Sequence, residues 1–157
     1  IVLFGAELAF AAQNVDTYEF EPDSLKLSLG FKFALLLLII KKIVQDFDKG
    51  LPPPDDRSLS SELDVPIRLV RQILFYCQKC GLICEIRNTD TDKNFGYYPA
   101  VGGEKFTITF VAEKLLRQGS ESLPYFENVE FEKIKKKMLE LTDHAGKDSA
   151  NTPIRNL

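Results

Sequence analysis

Four groups of residues in this chain have the type and spacing to do chemistry. The first is Glu7, a carboxylate inside the almost wholly apolar run from Ile1 to Asn14. If that run is the end of a membrane helix leaving the bilayer near Asn14, a rise of about 1.5 Å per residue sinks Glu7 by about 10 Å. An ionised group at that depth is costly and faces a bundle interior or a wet cavity, where it lines a transport or lipid path. The competing role is a hydrogen bond to a neighbouring helix, with Gly5 and Ala6 allowing close approach. The second group is Cys77-x-x-Cys80-x-x-x-Cys84. A structural zinc site takes four ligands, the only histidine is His144 in the tail, and Cys77 falls on an apolar stripe where a thiol packs as a small hydrophobe. No metal and no other cofactor is expected. The third group is Arg68, Arg71 and Lys79 on one helix, cations that could reach nucleic acid. The fourth is the cluster Lys133–Lys137, which could touch anionic lipid head groups but is offset by Glu127, Glu130, Glu132 and Glu140 and reads as a solvated helix face.

Composition narrows these options. Apolar content is 45%, charged content 27% and net charge −3, so the chain is globular in type and carries no global positive field to advertise nucleic acid. Over Ser58–Arg87, Arg68, Arg71, Lys79 and Arg87 stand against Glu62, Asp64 and Glu85, a thin margin for neutralising several phosphates. Asp90 and Asp92 in the adjoining loop outweigh Lys93. Three closely spaced cysteines read as reduced thiols rather than a disulfide scaffold. No paired carboxylates, nucleophile–base pair or glycine-rich phosphate loop stands out, and no catalytic residue is assigned.

The elements that must position these residues follow from periodicity and punctuation. The chain opens without methionine, the apolar start lacks the basic stretch of a signal peptide, and it is too short to span a bilayer alone. It therefore reads as the close of a transmembrane helix. Val15–Asp23 is a polar exit. Ser24–Phe33 alternates polar and apolar with a strand-like period, yet Leu-rich composition and Gly50 as a stop favour a helix over Leu29–Asp48. Pro52-Pro53-Pro54 breaks it. Ser58–Leu63 is a short helix with Ser58 as its cap, Asp64-Val65-Pro66 a turn, and a second helix runs to Cys80 before Gly81. Its inward stripe is Ile67, Val70, Ile73, Leu74 and Cys77. Leu82–Arg87 and Gly96–Ala100 form a hairpin around an Asn/Asp-rich loop. A further helix opens at Thr107 and runs through Val111, Leu115 and Leu116. A last one covers about Glu127–Leu141 with Val129, Phe131, Ile134, Met138 and Leu141 on one side. His144–Leu157 reads as disordered.

Three helices followed by a hairpin is the order of a winged helix, with a helix-turn-helix over Ser58–Gly81. The expected fold is mainly α with a small β-hairpin, a winged-helix domain following the end of a transmembrane helix. Its segments are a membrane helix end at 1–14, a polar linker at 15–28, the winged helix at 29–119, an amphipathic helix at 120–142 and a tail at 143–157. Leu63, Val70, Leu74, Cys77, Ile83 and Leu116 are expected to share a core with the apolar side of Leu35–Phe47.

The end L-F-G-A-E-L (Leu3–Leu8) resembles the close of the sixth membrane helix in the YihY/BrkB family of bacterial inner-membrane proteins, many labelled ribonuclease BN. The succession S-L-S-S-E-L-D-V-P-I-R-L-V (Ser58–Val70), C-G-L-I (Cys80–Ile83) and T-I-T-F-V-A-E-K-L-L (Thr107–Leu116) is similar to the winged-helix tail of its longer members. The resemblance implies an inner-membrane protein with residues 15–157 in the cytoplasm. On that basis the tail is expected to be an accessory or interaction domain of a transport-like, lipid-related membrane protein. Its partners would be the membrane and a protein or a second copy, with nucleic acid not expected. The alternatives are a DNA-binding winged-helix regulator, using Arg68, Arg71 and Lys79, and a ribonuclease.

Overall fold

The computed structural model describes residues 27–87, 95–120 and 124–157. The membrane-helix reading of 1–14, with Glu7, the linker as far as residue 26 and the charges at the hairpin tip lie outside the described residues. The chain divides into two compact units, Ile1–Leu35 and Leu36–Leu157. The described part of the first is the opening of helix α1 (Leu29–Asp48), where the Ser28 hydroxyl accepts from the Phe31 amide at 3.1 Å. The two-residue alternation before Phe33 therefore gives way to a helix, because a single strand there would have no ladder partner while the helix satisfies its own backbone.

In the second unit α1 buries Leu36, Ile39, Ile40, Ile43 and Val44, spaced three and four apart along one face. It ends at Gly50, whose φ of +67° is open to glycine without a Cβ penalty, and the Leu51 amide returns to the Asp46 carbonyl at 2.9 Å. The three prolines follow. Helix α2 (Asp56–Leu63) starts two residues earlier than its sequence suggests. Asp55, not Ser58, is the cap: its carboxylate accepts from the Ser58 amide at 2.7 Å, and the Ser58 hydroxyl accepts from the Asp55 amide at 2.9 Å. Such reciprocal pairing satisfies two otherwise orphaned donors. Asp64, with φ +52°, closes the helix in the left-handed region that short polar side chains tolerate.

Helix α3 (Ile67–Lys79) then runs from Pro66, which stands one residue before the helix. It buries Val70, Ile73, Leu74 and Cys77, while Ile67 is only half-buried. Gly81 (φ +66°) turns the chain into strand β1 (Ile83–Arg87), which pairs antiparallel with β2 (Phe95–Pro99) in the register Ile83–Pro99, Glu85–Tyr97, Arg87–Phe95. The triproline is more than a linker. The Tyr97 amide donates to the Pro54 carbonyl at 3.0 Å, and Gly96 lies so close to Pro53 that an added Cβ would meet its ring at 2.6 Å.

Helix α4 (Ile108–Leu116) is capped by the Thr107 hydroxyl, which accepts from the Phe110 amide at 3.2 Å. It buries Val111, and the fully buried Phe106 precedes it. Leu116, expected in the core, is 60% exposed because it sits in the last turn of a nine-residue helix. Leu63 is half-buried for the same kind of reason, at the end of α2. Helix α5 (Val129–Gly146), capped by Asn128, extends five residues beyond Leu141.

The C-terminal segment read as disordered returns to the core. Ile154 is 1% exposed and its amide donates to the Phe106 carbonyl at 2.7 Å. Pro153 bridges Thr107, the Gln45 side chain donates to the Arg155 carbonyl at 3.2 Å, and Arg155 pairs with Asp48 at 2.9 Å. Polar composition hid this docking, since a single isoleucine, backbone groups and polar side chains do the anchoring.

Candidate nucleic-acid interface

The core stripe of α3 fixes what its other side shows. With Val70, Ile73, Leu74 and Cys77 inward, the residues turned outward are Arg71, Gln72, Phe75, Tyr76 and Lys79, all exposed. They lie at i, i+1, i+4, i+5 and i+8, one face of a helix. The helix itself contains no carboxylate. Phe75 and Tyr76 are 54% and 46% exposed and stand edge to face with ring centroids 6.1 Å apart. The Lys79 ammonium sits over the Phe75 ring, 5.4 Å from its centroid, an arrangement that holds a cation extended along an aromatic face.

Of the basic residues singled out from sequence, Arg71 and Lys79 share this face. Arg68 is half-buried beside it. Arg71 is engaged: its Nε donates to Asp56 Oδ2 at 2.5 Å, the carboxylate coming from the first turn of α2. One acid counted against the helix is occupied elsewhere. Glu62 pairs with Lys42 at 2.5 Å, and Lys42 in turn pairs with the buried Asp46 at 2.9 Å. Hydrogen bonds donated by the Lys42 ammonium to Glu62, then Asp46, raise its pKa above the ordinary value. Glu85 accepts from the Gln78 amide group at 2.9 Å. Burial, with Glu85 and Asp56 adding to it, lifts the Tyr97 hydroxyl above the usual tyrosine range.

Of the other basic groups, sequence reading counted Arg87 but did not single out Lys114 or Arg117. On the hairpin, the Arg87 guanidinium lies over the Phe95 ring at 5.8 Å. At the other end of α3, Lys79 lines an open cleft of about 400 Å³ with Cys80, Phe110, Glu113, Lys114 and Arg117. Lys114 stands over Phe110 at 5.8 Å, and Arg117 pairs with Glu113 at 2.7 Å. Three cations thus meet one carboxylate. The signal for this was spatial, because α3 and α4 are separated by the hairpin in sequence.

The cysteines do not form a centre. Cys77 and Cys80 are buried and Cys84 is exposed, all three as free thiols. Burial pushes the Cys77 thiol up to about 12 and raises Cys80 as well, the opposite of what a metal ligand or nucleophile requires. Among the described residues no group of three or more His, Cys, Asp or Glu side chains could hold a metal ion. The Lys133–Lys137 cluster is exposed on α5, except Lys135, which is half-buried. Lys133 pairs with Glu130 and Lys137 with Glu140, each at 3.0 Å.

No protein-family model matches this chain, and no curated protein matches it either. The YihY/BrkB resemblance therefore rests on the quoted residues alone. Solved structures do match. CymR (YrzC), the global cysteine regulator of B. subtilis, is 16% identical over 82% of this chain and 92% of its own, with a TM-score of 0.51. The oxidised form of Staphylococcus aureus CymR is 16% identical over 82% of this chain and 94% of its own, with a TM-score of 0.50. At that identity the likeness concerns the fold: this chain is mainly helical with an antiparallel hairpin, in the winged-helix arrangement. It also corrects the functional expectation of an accessory tail on a transport-like membrane protein. The fold is shared with a global cysteine regulator, and among the described residues no helix is long and apolar enough to cross a membrane. The ribonuclease reading, the membrane as partner and the exclusion of nucleic acid are corrected with it.

Proposed function

We propose that this chain binds duplex DNA as a winged-helix transcriptional regulator, with α3 in the major groove and the β1–β2 hairpin against the flanking backbone. The observation that carries this reading is the outward stripe Arg71, Gln72, Phe75, Tyr76 and Lys79, free of acids and backed by a fully apolar stripe. The second helix of a helix-turn-helix enters the major groove, and its outward side chains meet base edges. Arg71 and Gln72 have the donor patterns that read guanine and adenine, and Phe75 and Tyr76 offer apolar surface for thymine methyl groups. Lys79 at the end of that stripe, Lys114 and Arg117 in the adjoining cleft and Arg87 on the hairpin supply phosphate contacts, which position the helix without reading sequence.

The test is a fluorescence-anisotropy titration of the 157-residue chain against duplexes enriched from a random pool, repeated over a salt series. Binding should weaken with salt by about 0.9 log units per log of salt for each phosphate neutralised. Lys79→Ala should shrink that slope by about one contact and weaken all duplexes alike. Gln72→Ala should instead flatten the preference among duplexes. Enrichment of no duplex, or binding indifferent to both substitutions, would refute the proposal.

A further inference from the structure

Arg71 differs from the other basic groups around α3 in how its charge is used. Lys79 and Arg87 rest on the rings of Phe75 and Phe95, contacts that hold a cation in place and leave its charge uncancelled. Arg71 instead donates from Nε to Asp56 Oδ2 at 2.5 Å, a charge-assisted bond between residues 15 apart in sequence. Asp56 lies in the first turn of α2, where the helix dipole favours a carboxylate. Its side chain is 24% exposed against 54% for Arg71, so the acid is the sheltered partner and the base the one offered outward. Tyr97 of the hairpin is near enough to feel both charges, which places the pair where α2, α3 and β2 converge.

We infer that Asp56 is a specificity-determining residue of the DNA-binding face, a role that rests on the DNA-binding reading above. It cancels the charge that would make Arg71 a phosphate clamp, and it leaves Arg71 able to read a base. A guanidinium has five N–H donors. With Nε occupied, the Nη groups keep four, and two of these complete the bidentate pattern to guanine O6 and N7. Phosphate loses most from the pairing, because its attraction depends on net charge and the Arg71–Asp56 pair has none. A base edge loses less, since it is recognised by directed hydrogen bonds to neutral acceptors. Asp56 therefore weakens binding to duplexes in general more than binding to one with guanine beneath Arg71. That difference is specificity, obtained by penalising the wrong partners.

The experiment titrates the 157-residue chain by fluorescence anisotropy over a salt series. The duplexes are the enriched one and copies in which each guanine in turn is replaced. Asp56→Asn is compared with Arg71→Ala, with the double variant and with Asp143→Asn, which removes one carboxylate from α5 and so controls for net charge. Asp56→Asn should steepen the salt dependence by about 0.9 log units per log of salt, the value of one phosphate. It should also raise affinity for the replaced duplexes severalfold and so narrow the preference for one guanine. Arg71→Ala should lose the preference at that same guanine with its salt dependence nearly unchanged. Adding Asp56→Asn to Arg71→Ala should then do no more than Asp143→Asn does, because the coupling belongs to the pair. Asparagine keeps the shape of the side chain, so the circular-dichroism spectrum of Asp56→Asn should match the parent. An unmoved salt slope, an unchanged guanine preference or weaker binding to every duplex would overturn the inference. Any of these in a parent that still discriminates among duplexes leaves the DNA-binding reading standing. Enrichment of no duplex removes that reading, and the role of Asp56 with it.

Discussion

Ile154→Ala is the sharpest test of how the chain closes on itself. The substitution removes three carbon atoms from a side chain that is 1% exposed. At about 0.8 kcal/mol per buried methylene the transfer loss is about 2.4 kcal/mol, and a residual cavity adds to it. Ile154 opens a three-residue turn that can partly collapse onto the space, which keeps the cavity contribution small. We expect a loss of about 2–3 kcal/mol. Arg155→Ala breaks an ion pair with Asp48 whose side chains are 35% and 33% exposed, and should cost less than about 1 kcal/mol. Urea denaturation of the intact chain, followed by far-UV circular dichroism, measures both. The midpoint should fall for Ile154→Ala with the slope unchanged, while Arg155→Ala should nearly overlay the parent. A change below about 0.5 kcal/mol for Ile154→Ala, the range of ordinary surface substitutions, would mean that the C-terminal segment does not cover Phe106 in solution.

Four further outcomes follow from the same geometry. Leu74→Ala, at 1% exposure in the middle of α3, should cost about 2–5 kcal/mol, while Arg71→Ala on the opposite face should cost less than about 1 kcal/mol; equal costs in thermal melts would show that the wrong face has been assigned inward. Gly96→Ala forces a Cβ against Pro53 at 2.6 Å and should cost about 1–3 kcal/mol, as overpacking does; a neutral effect would mean the hairpin does not rest on the triproline. Cys77 ionises near pH 9 when unfolded but only at about 12 when folded, so its contribution is intact below pH 9 and declines as pH rises through that window. Denaturation of Cys77→Val should therefore show a shallower loss of stability between those pH values than the parent, and parallel curves would contradict the burial argument. Asp56→Asn removes the carboxylate that holds Arg71 at 2.5 Å and should raise affinity for duplex DNA severalfold; reduced affinity would place Asp56 among the groups that orient Arg71 for binding.

The fold was legible where one physical signal dominated. The three-and-four spacing in α1 and α3, the turn at Asp64-Val65-Pro66 and Gly81 before the hairpin all express local backbone preferences that need no tertiary knowledge. Boundaries slipped where a side chain chose between two roles. Ser58 looked like a cap because serine is a good one, but Asp55 stands three residues before it and completes a reciprocal pair that Ser58 alone could not make. The C-terminal segment was illegible for another reason. Its order rests on one buried isoleucine, on backbone groups of Thr107 and Phe106 and on the Gln45 and Asp48 side chains, all distant in sequence, and no local pattern encodes a long-range partner.

Charge gave the most instructive difference. Counting along Ser58–Arg87 treats every acid as facing every base, yet Glu62 is bound to Lys42 of α1, while Glu85 lies against Gln78 of α3 and Asp56, outside that window, holds Arg71. What a groove-bound ligand would meet is decided by orientation, and the outward face of α3 has no acid of its own. Conversely, Lys114 and Arg117 fall outside that window but line one cleft with Lys79. A net charge of −3 for the whole chain coexists with this basic, aromatic-lined strip because attraction to a polyanion falls off within about 10 Å at moderate salt. At that range the local arrangement outweighs the total.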